Sequence, residues 1–509
     1  MSKEPLLAGV DVGTTNIKAI IFDPTGQVVA HASVPTPTHY PQPTWAYYCP
    51  EELWQSTTEA LREAITHLDD PSRIAGVAVA SMGESAAPLD SDGRPTYDAI
   101  AWFDLRTQPQ AEWLDHAIGK DRLFNVTGLS LQPIFGLCKL LWLKENEPDA
   151  FQRTTKWLNI ADYIAYRLSG VPATDYSLAS RTLAFDLHQL RWNEALLREV
   201  DIPPDLFAPL RPSGTRLGPV RPEAAAATGL STSTWVAAGG HDHVCGALAL
   251  DVTEPGSMLN SLGTAEAIFL PLDRPLDDAE VGRQGYTQGA HVAGQYYIFG
   301  GLYTSGASVE WFREVVGIGP DDHATLIAEA EDVPPGSLGV CFLPYLRHHA
   351  TPPYDDPRAR GAFIGLSTDV KRGAAFRAVL EGLAFESRNS LESLLDHTGV
   401  ELRNIYAIGG STRNKLLMRI KASVLNHAVI MPGVEDAGAL GAAVLGGIGS
   451  GVYSDVPTGL SQLRHTQTTV EPVADHVELY DVYFRDLYQR IYPSLRSLHH
   501  TVYRLQNEM

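Results

Sequence analysis

The apolar positions of this chain fall into two rhythms. Residues 6–12 are an apolar run that meets a polar turn at Gly13, Thr14 and Thr15, and residues 17–22 form a second apolar run leaving it. A turn at 24–27 leads to a third short run, Val28, Val29 and Ala30, so the opening predicts a β-meander with hydroxyls on its tight turn. Residues 256–270 use the same device, an apolar strand, Gly263 and Thr264, then another apolar strand. The copies lie about half a chain apart, a spacing that suggests two related lobes. Elsewhere helical spacing takes over. Residues 51–67 carry Leu53, Trp54, Ala60, Leu61, Ala64 and Ile65 at helical intervals behind Pro50, residues 74–81 read as a buried strand, and 371–395 as a long amphipathic helix. Residues 405–408 predict a short strand ending in Gly409 and Gly410, and the small residues of 437–446 predict a helix able to lie close to its neighbours. The sum is an α/β protein with mixed sheets flanked by helices. The pattern breaks near 247–255, which gives an N-terminal lobe over 1–250, a C-terminal lobe over 251–475 and a terminal helix over 476–509. Tyr480, Tyr483, Phe484, Tyr488 and Tyr492 stripe that helix and read as a docking face rather than a cofactor site.

Composition narrows the functions available. With 509 residues and 44% hydrophobic content the chain is large enough for two cores. A formal net charge of -21 disfavours phosphodiester backbones, so nucleic acid is not expected as a partner. Any anionic ligand must be held locally, by N–H groups and a few cations. Cys49, Cys138, Cys245 and Cys341 form no C-x-x-C pair and read as reduced thiols. No cationic, then apolar, leader is visible and no apolar run approaches the ~20 residues that span a bilayer, so the expectation is a cytoplasmic protein without membrane attachment.

The candidate chemistry sits at the glycine turns. A phosphate tail needs N–H and O–H donors at close approach, and Gly13, Thr14, Thr15 and Asn16 supply them, with Asp11 at the strand end as a hard oxygen ligand for Mg²⁺, directly or through water. The turn is neither a Walker A nor a G-x-G-x-x-G element. The glycine pair at 409 and 410 opens a helix whose first N–H groups are free. A second informative stretch ends an apolar strand at Gly239 and Gly240 and continues with His241, Asp242 and His243. Alternate residues of an extended segment share a face, so Asp242 points away from the two imidazoles, and a zinc reading of the triplet is disfavoured.

Taken together, residues 11–18, 260–265 and 409–446 resemble the FGGY family of carbohydrate kinases, across roughly residues 5 to 450. Residues 139–146 resemble the core of that family's first signature, with Gly136 departing from it. Trp102, Asp104, Arg106 and Thr107 are similar to the W-x-D-x-R-T segment of pentulose kinases. Gly409 to Leu417, Pro432, Glu435 and 439–443 are similar to the second signature. The resemblance implies the two-lobed actin-like or ribonuclease-H-like ATPase fold, and ATP-dependent phosphorylation of a small sugar or polyol hydroxyl. It implies Gly13, Thr14, Thr15, Lys18, Gly263, Thr264, Gly409, Gly410 and Asn414 as ATP contacts, Asn414 near the base. It implies Asp242 as general base, and Asp11 with Asp242 around Mg²⁺. Glu84, Asp104, Asp242 and His243 are the expected substrate contacts, with Trp102 or Phe103 as an apolar floor and Gln288 and 300–306 closing the cleft from the other lobe. D-xylulose is the leading acceptor. Glycerol, erythritol, gluconate, L-ribulose and L-fuculose, or a non-catalytic nucleotide or sugar switch, are the alternatives. A homodimer is common among such proteins.

Overall fold

The computed structural model describes residues 4–319, 322–347, 349–434 and 436–507. Two seven-stranded sheets organise them. Across the first, the strands run Arg216–Pro219, Trp235–Ala237, Ile74–Ser81, Leu6–Val12, Asn16–Phe22 and Val28–Pro35, with Gly240–His241 paired alongside the end of Ile74–Ser81. Across the second they run Thr287–Ala290, Tyr296–Leu302, Glu266–Leu272, Ser257–Leu262, Asn404–Ile408, Val429–Pro432 and Gln467–Val470. Apart from Thr287–Ala290 in the second and Gly240–His241 in the first, the two share one plan. An antiparallel meander of three strands is followed, beside its first strand, by two parallel strands and an antiparallel edge. The repeat suspected from two glycine-threonine turns is therefore a repeat of whole sheets. Their central strands are buried along nearly their whole length because helices cover both faces.

The predicted elements form with small shifts in their ends. The helix after Cys49 spans Pro50–Thr66, the long helix Arg372–Thr398, and the small-residue helix Ala437–Ser450. This last helix crosses from the second half of the sequence onto the first sheet. Ala437, Ala439, Leu440, Ala443 and Val444 share one core with Leu7 and Phe22 of the first sheet, Leu259 and Phe269 of the second, and Val244 and Leu248 of the helix Asp242–Ala249. The two helices touch backbone to backbone. A Cβ on Gly441 would stand 1.9 Å from the carbonyl oxygen of Cys245, so only glycine fits. Small residues thus set how deep the helix beginning at Asp242 sits between the two sheets.

The terminal segment is three joined helices, Ala474–Val482, Tyr483–Tyr488 and Gln489–Asn507. Tyr480, Phe484, Tyr488 and Tyr492 are buried against the second lobe, and the hydroxyls of Tyr480, Tyr488 and Tyr492 donate to Glu381, Glu386 and Asp356. The aromatic stripe is a docking face. No helix among the described residues is long and apolar enough to cross a membrane.

Candidate active site

The first glycine-threonine turn joins Leu6–Val12 to Asn16–Phe22, and its backbone is tied to the protein behind it. Gly13 N–H donates to the Asn16 carbonyl at 3.1 Å, while Thr36 donates its N–H to the Thr15 carbonyl and its hydroxyl to the Gly13 carbonyl. The Trp102 indole N–H donates to Thr14 Oγ1 at 2.9 Å. An indole is a donor only, so the Thr14 hydroxyl accepts here and its own proton is not used in this bond. The second turn, Gly263 to Ala265, is anchored differently. Its Gly263 and Thr264 carbonyls accept from the N–H groups of Ser305, Gly306 and Ala307 at 2.9–3.1 Å. Immediately behind it, Glu266 and Lys421 form an ion pair of 2.6 Å with both side chains sealed from solvent. Gly409 lies against this hairpin at φ +99°, and a Cβ there would come within 2.4 Å of the Leu262 carbonyl oxygen. Gly410, by contrast, faces open space. Asn414 starts the helix Lys415–Leu425 by accepting from Leu417 N–H at 3.1 Å.

Asp242 occupies the first position of the helix Asp242–Ala249, where the strand edge Gly240–His241 delivers it. Its Oδ1 accepts the His243 N–H at 2.6 Å, and 28% of its side chain reaches solvent. Burial pushes its carboxyl up from the usual range, and Glu84 adds to the shift. His243 and Arg181 pull it back. The net direction makes it a better proton acceptor than a surface aspartate. Asp11 stands within its field. Burial, then Asp436 and Asp242, hold the Asp11 carboxyl well above its ordinary value, with Lys18 opposing them. Its Oδ1 is buried with no hydrogen-bond partner. Lys18, paired with Asp11 across the hairpin, places its ammonium 2.6 Å from Asp436, which caps the helix Ala437–Ser450.

This donor set fits a hard cation. Asp11 keeps one unpartnered carboxylate oxygen in the field of Asp436 and Asp242, and the one cation beside them, Lys18, is bonded to Asp436. Among the described residues no three His, Cys, Asp or Glu side chains are placed to enclose a metal. That combination suits Mg²⁺, which keeps most of its waters and takes one or two carboxylates together with phosphate oxygens.

Glu84 lies just beyond the strand Ile74–Ser81, and Arg181 grips its Oε1 through Nε at 2.8 Å and Nη2 at 2.5 Å. His243 lies at its side of the cleft with its ring 5.4 Å from Phe299 of the second sheet. His241 is buried and held well below its ordinary pKa, first by desolvation and then by Arg181 and His243, yet its Nε2 lies 3.3 Å from Asp242 Oδ1, so Asp242, carried into a helix start, does not point away from that imidazole as an extended segment predicted. Lys139, from the first-signature segment, is buried and donates to the carbonyls of Glu84, Ile100 and Ala101 at 2.7–3.1 Å. Desolvation lowers its pKa to about 7. It splices the Glu84 loop to the Trp102 loop.

Two expectations are corrected. Asp104 does not face a sugar. Its carboxylate is fully buried, and its oxygens accept from the Arg106 guanidinium and the N–H groups of Ala46 and Arg106. Arg106 in turn stacks on Trp45 and Trp142. Asp104→Asn is therefore expected to cost about 3 kcal/mol of stability, because it strands a buried cation, and to leave the acceptor KM unchanged. A denaturant melt with steady-state kinetics checks both. Gln288 is likewise buried, with its amide spent on the backbone of Leu276. Trp102, 37% exposed, is the side chain of its segment that reaches the turn at 13–15. The sequence reading missed Arg181 and Asp436. Asp436 had a signal, an N-cap residue just before the small-residue helix. Arg181 had none. Glu435, read as part of the second signature, lies outside the described residues.

Comparison with known proteins adds to this geometry. Residues 6–249 match the N-terminal domain of the FGGY family of carbohydrate kinases, and residues 258–450 its C-terminal domain. The chain is 30% identical over 492 residues to the xylulose kinase of Bacillus subtilis, covering 96% of this chain and 97% of that protein. It is 30% identical over 477 residues to the glycerol kinase of Thermococcus kodakarensis, covering 93% and 94%. The solved xylulose kinase of Rhodospirillum rubrum superposes with a TM-score of 0.88 at 30% identity, over 97% of this chain and 100% of that one.

Proposed function

We propose that this chain, which belongs to the FGGY family of carbohydrate kinases, transfers the γ-phosphoryl group of ATP to a hydroxyl of a neutral ketose, D-xylulose first among them. Phosphotransfer to a small sugar or polyol is the activity of the family. The observation that carries the site assignment is Asp242, a partly open carboxylate at a helix start between the two lobes, with Glu84 near it and a threonine turn on each sheet.

In this reading the acceptor lies between Glu84, Asp242, His243 and the Trp102 ring. The triphosphate lies between the turns at 13–15 and 263–265, and the adenosine over Gly409, Gly410 and Asn414. Asp242 orients the attacking hydroxyl and takes its proton as the new O–P bond forms and the bond from γ-phosphorus to the bridging oxygen breaks, releasing ADP. In a loose phosphoryl-transfer transition state positioning outweighs base strength, so an aspartate held rigidly at a helix start suits the task. Thr14 and Thr264 offer hydroxyl donors to the phosphates. Mg²⁺, held by Asp11 with Asp242 nearby, would neutralise phosphate charge. Closure of the lobes keeps water from the γ-phosphorus.

Glycerol is the second reading, because a glycerol kinase is as similar to this chain as a xylulose kinase. A panel of D-xylulose, L-ribulose, L-fuculose, erythritol, glycerol and gluconate, assayed by coupled ADP release, decides between them. D-xylulose is expected to lead glycerol by about tenfold or more in kcat/KM. A reversed order would transfer the assignment to glycerol.

A further inference from the structure

We propose that Arg181 is a positioning residue for the acceptor: it fixes Glu84 so that one carboxylate oxygen is left to receive a substrate hydroxyl. This rests on the kinase reading above.

Arg181 lies outside every motif that pointed to the site. It follows the helix Tyr176–Ala179 in a loop whose own backbone is pinned, with the Arg181 and Thr182 carbonyls accepting from Gly136 and Leu137 N–H. Its side chain is 7% exposed and that of Glu84 9%. Both Nε and Nη2 converge on the one oxygen, Oε1, of Glu84. Oε2 makes no hydrogen bond among the described residues, yet it is not among the sealed, unpartnered atoms either. An oxygen in that position retains its lone pairs for an incoming donor. The guanidinium carbon lies 5.1 Å from the centroid of Phe135, which closes one face. At Gly83 a Cβ would meet Arg181 Cγ at 2.9 Å and His241 Cδ2 at 2.5 Å, so the residue before Glu84 is packed between the arginine and the strand that delivers Asp242.

The physical argument is about freedom. A glutamate at a cleft wall has three rotatable bonds and would sample several positions for its carboxylate. A planar guanidinium with two donors on one oxygen removes that choice. The oxygen it grips is consumed, and the other is aimed. A lysine could supply the charge but not the two-donor plane. The proximity of Arg181 to Asp242, which it also draws toward the charged form, places both acceptor-side carboxylates under one cation.

The test is a double-mutant cycle of Arg181→Met and Glu84→Gln on the full chain, with the best neutral acceptor of the panel. Arg181→Met is expected to reduce kcat/KM for the acceptor roughly 30-fold, the loss of a buried charge-assisted bond, while the ATP KM moves less than about twofold. Arg181→Lys should fall between the two. In the Glu84→Gln background, Arg181→Met should cost less than about threefold, because the carboxylate that the guanidinium grips is replaced by a neutral amide. Additive losses, or an ATP KM that rises alongside the acceptor KM, would make Arg181 a plain structural residue and overturn the proposal. If Arg181→Met alone fails to fold, the comparison of Glu84→Gln with the double variant still decides, since a further loss above about tenfold contradicts the positioning role. Absence of wild-type turnover on every acceptor would instead remove the kinase reading beneath it.

Discussion

Asp242→Asn is expected to lower kcat by about 10³-fold, within the range spanned by general base removal, while nucleotide still binds. The asparagine keeps an oxygen where Oδ1 accepts the His243 N–H, so the helix Asp242–Ala249 starts as before. What it loses is a site for the acceptor proton. The substitution also removes one of the charges that burden Asp11, so the fold should melt no lower than the wild type. Steady-state kinetics, calorimetric titration with nucleotide and a thermal melt separate the three effects. A variant that kept near-normal turnover would remove Asp242 from the chemistry.

Asp11→Asn should divide activity from stability in the opposite sense to an ordinary core mutation. Its carboxylate is desolvated, flanked by Asp242 and Asp436, and has one oxygen with no partner. A neutral amide relieves that desolvation and repulsion, so the melting temperature is expected to match or exceed that of the wild type. Activity is expected to fall by about 10² or more, with a higher Mg²⁺ concentration needed for half-maximal rate. Groups kept at a cost to the fold are commonly functional. A variant that lost stability in step with activity would mark Asp11 as a structural residue. Magnesium titrations and thermal melts on the same preparation provide the comparison.

Which parts of this were legible in the sequence follows from where the information sits. The turns at 13–15 and 263–265 were visible because a glycine and hydroxyls between two apolar strands are a local pattern, and the strand that leads into Gly409 and the helix beyond it were visible for the same reason. The equivalence of the two sheets was only hinted at, since it resides in strand order rather than in residue identity. Asp436 escaped because its partner Lys18 is 418 positions away. Arg181 escaped because its partner Glu84 is 97 positions away and its neighbours Ser180 and Thr182 give it no pattern. Asp104 was misplaced for the converse reason. A carboxylate between aromatic residues and an arginine looks like a sugar contact, and only three-dimensional packing reveals that the arginine, wedged against Trp45 and Trp142, claims both oxygens. Gln288 was expected to help close the cleft, but its amide turns inward to Leu276.

The measurement closest to the centre of this account is a crystal structure with a non-hydrolysable ATP analogue, Mg²⁺ and the preferred acceptor. It should place the γ-phosphate between the turns at 13–15 and 263–265 and the Asp242 carboxylate within hydrogen-bond reach of the acceptor hydroxyl, in line with the phosphorus. A nucleotide bound away from both turns, or an Asp242 side chain directed away from the acceptor, would contradict it.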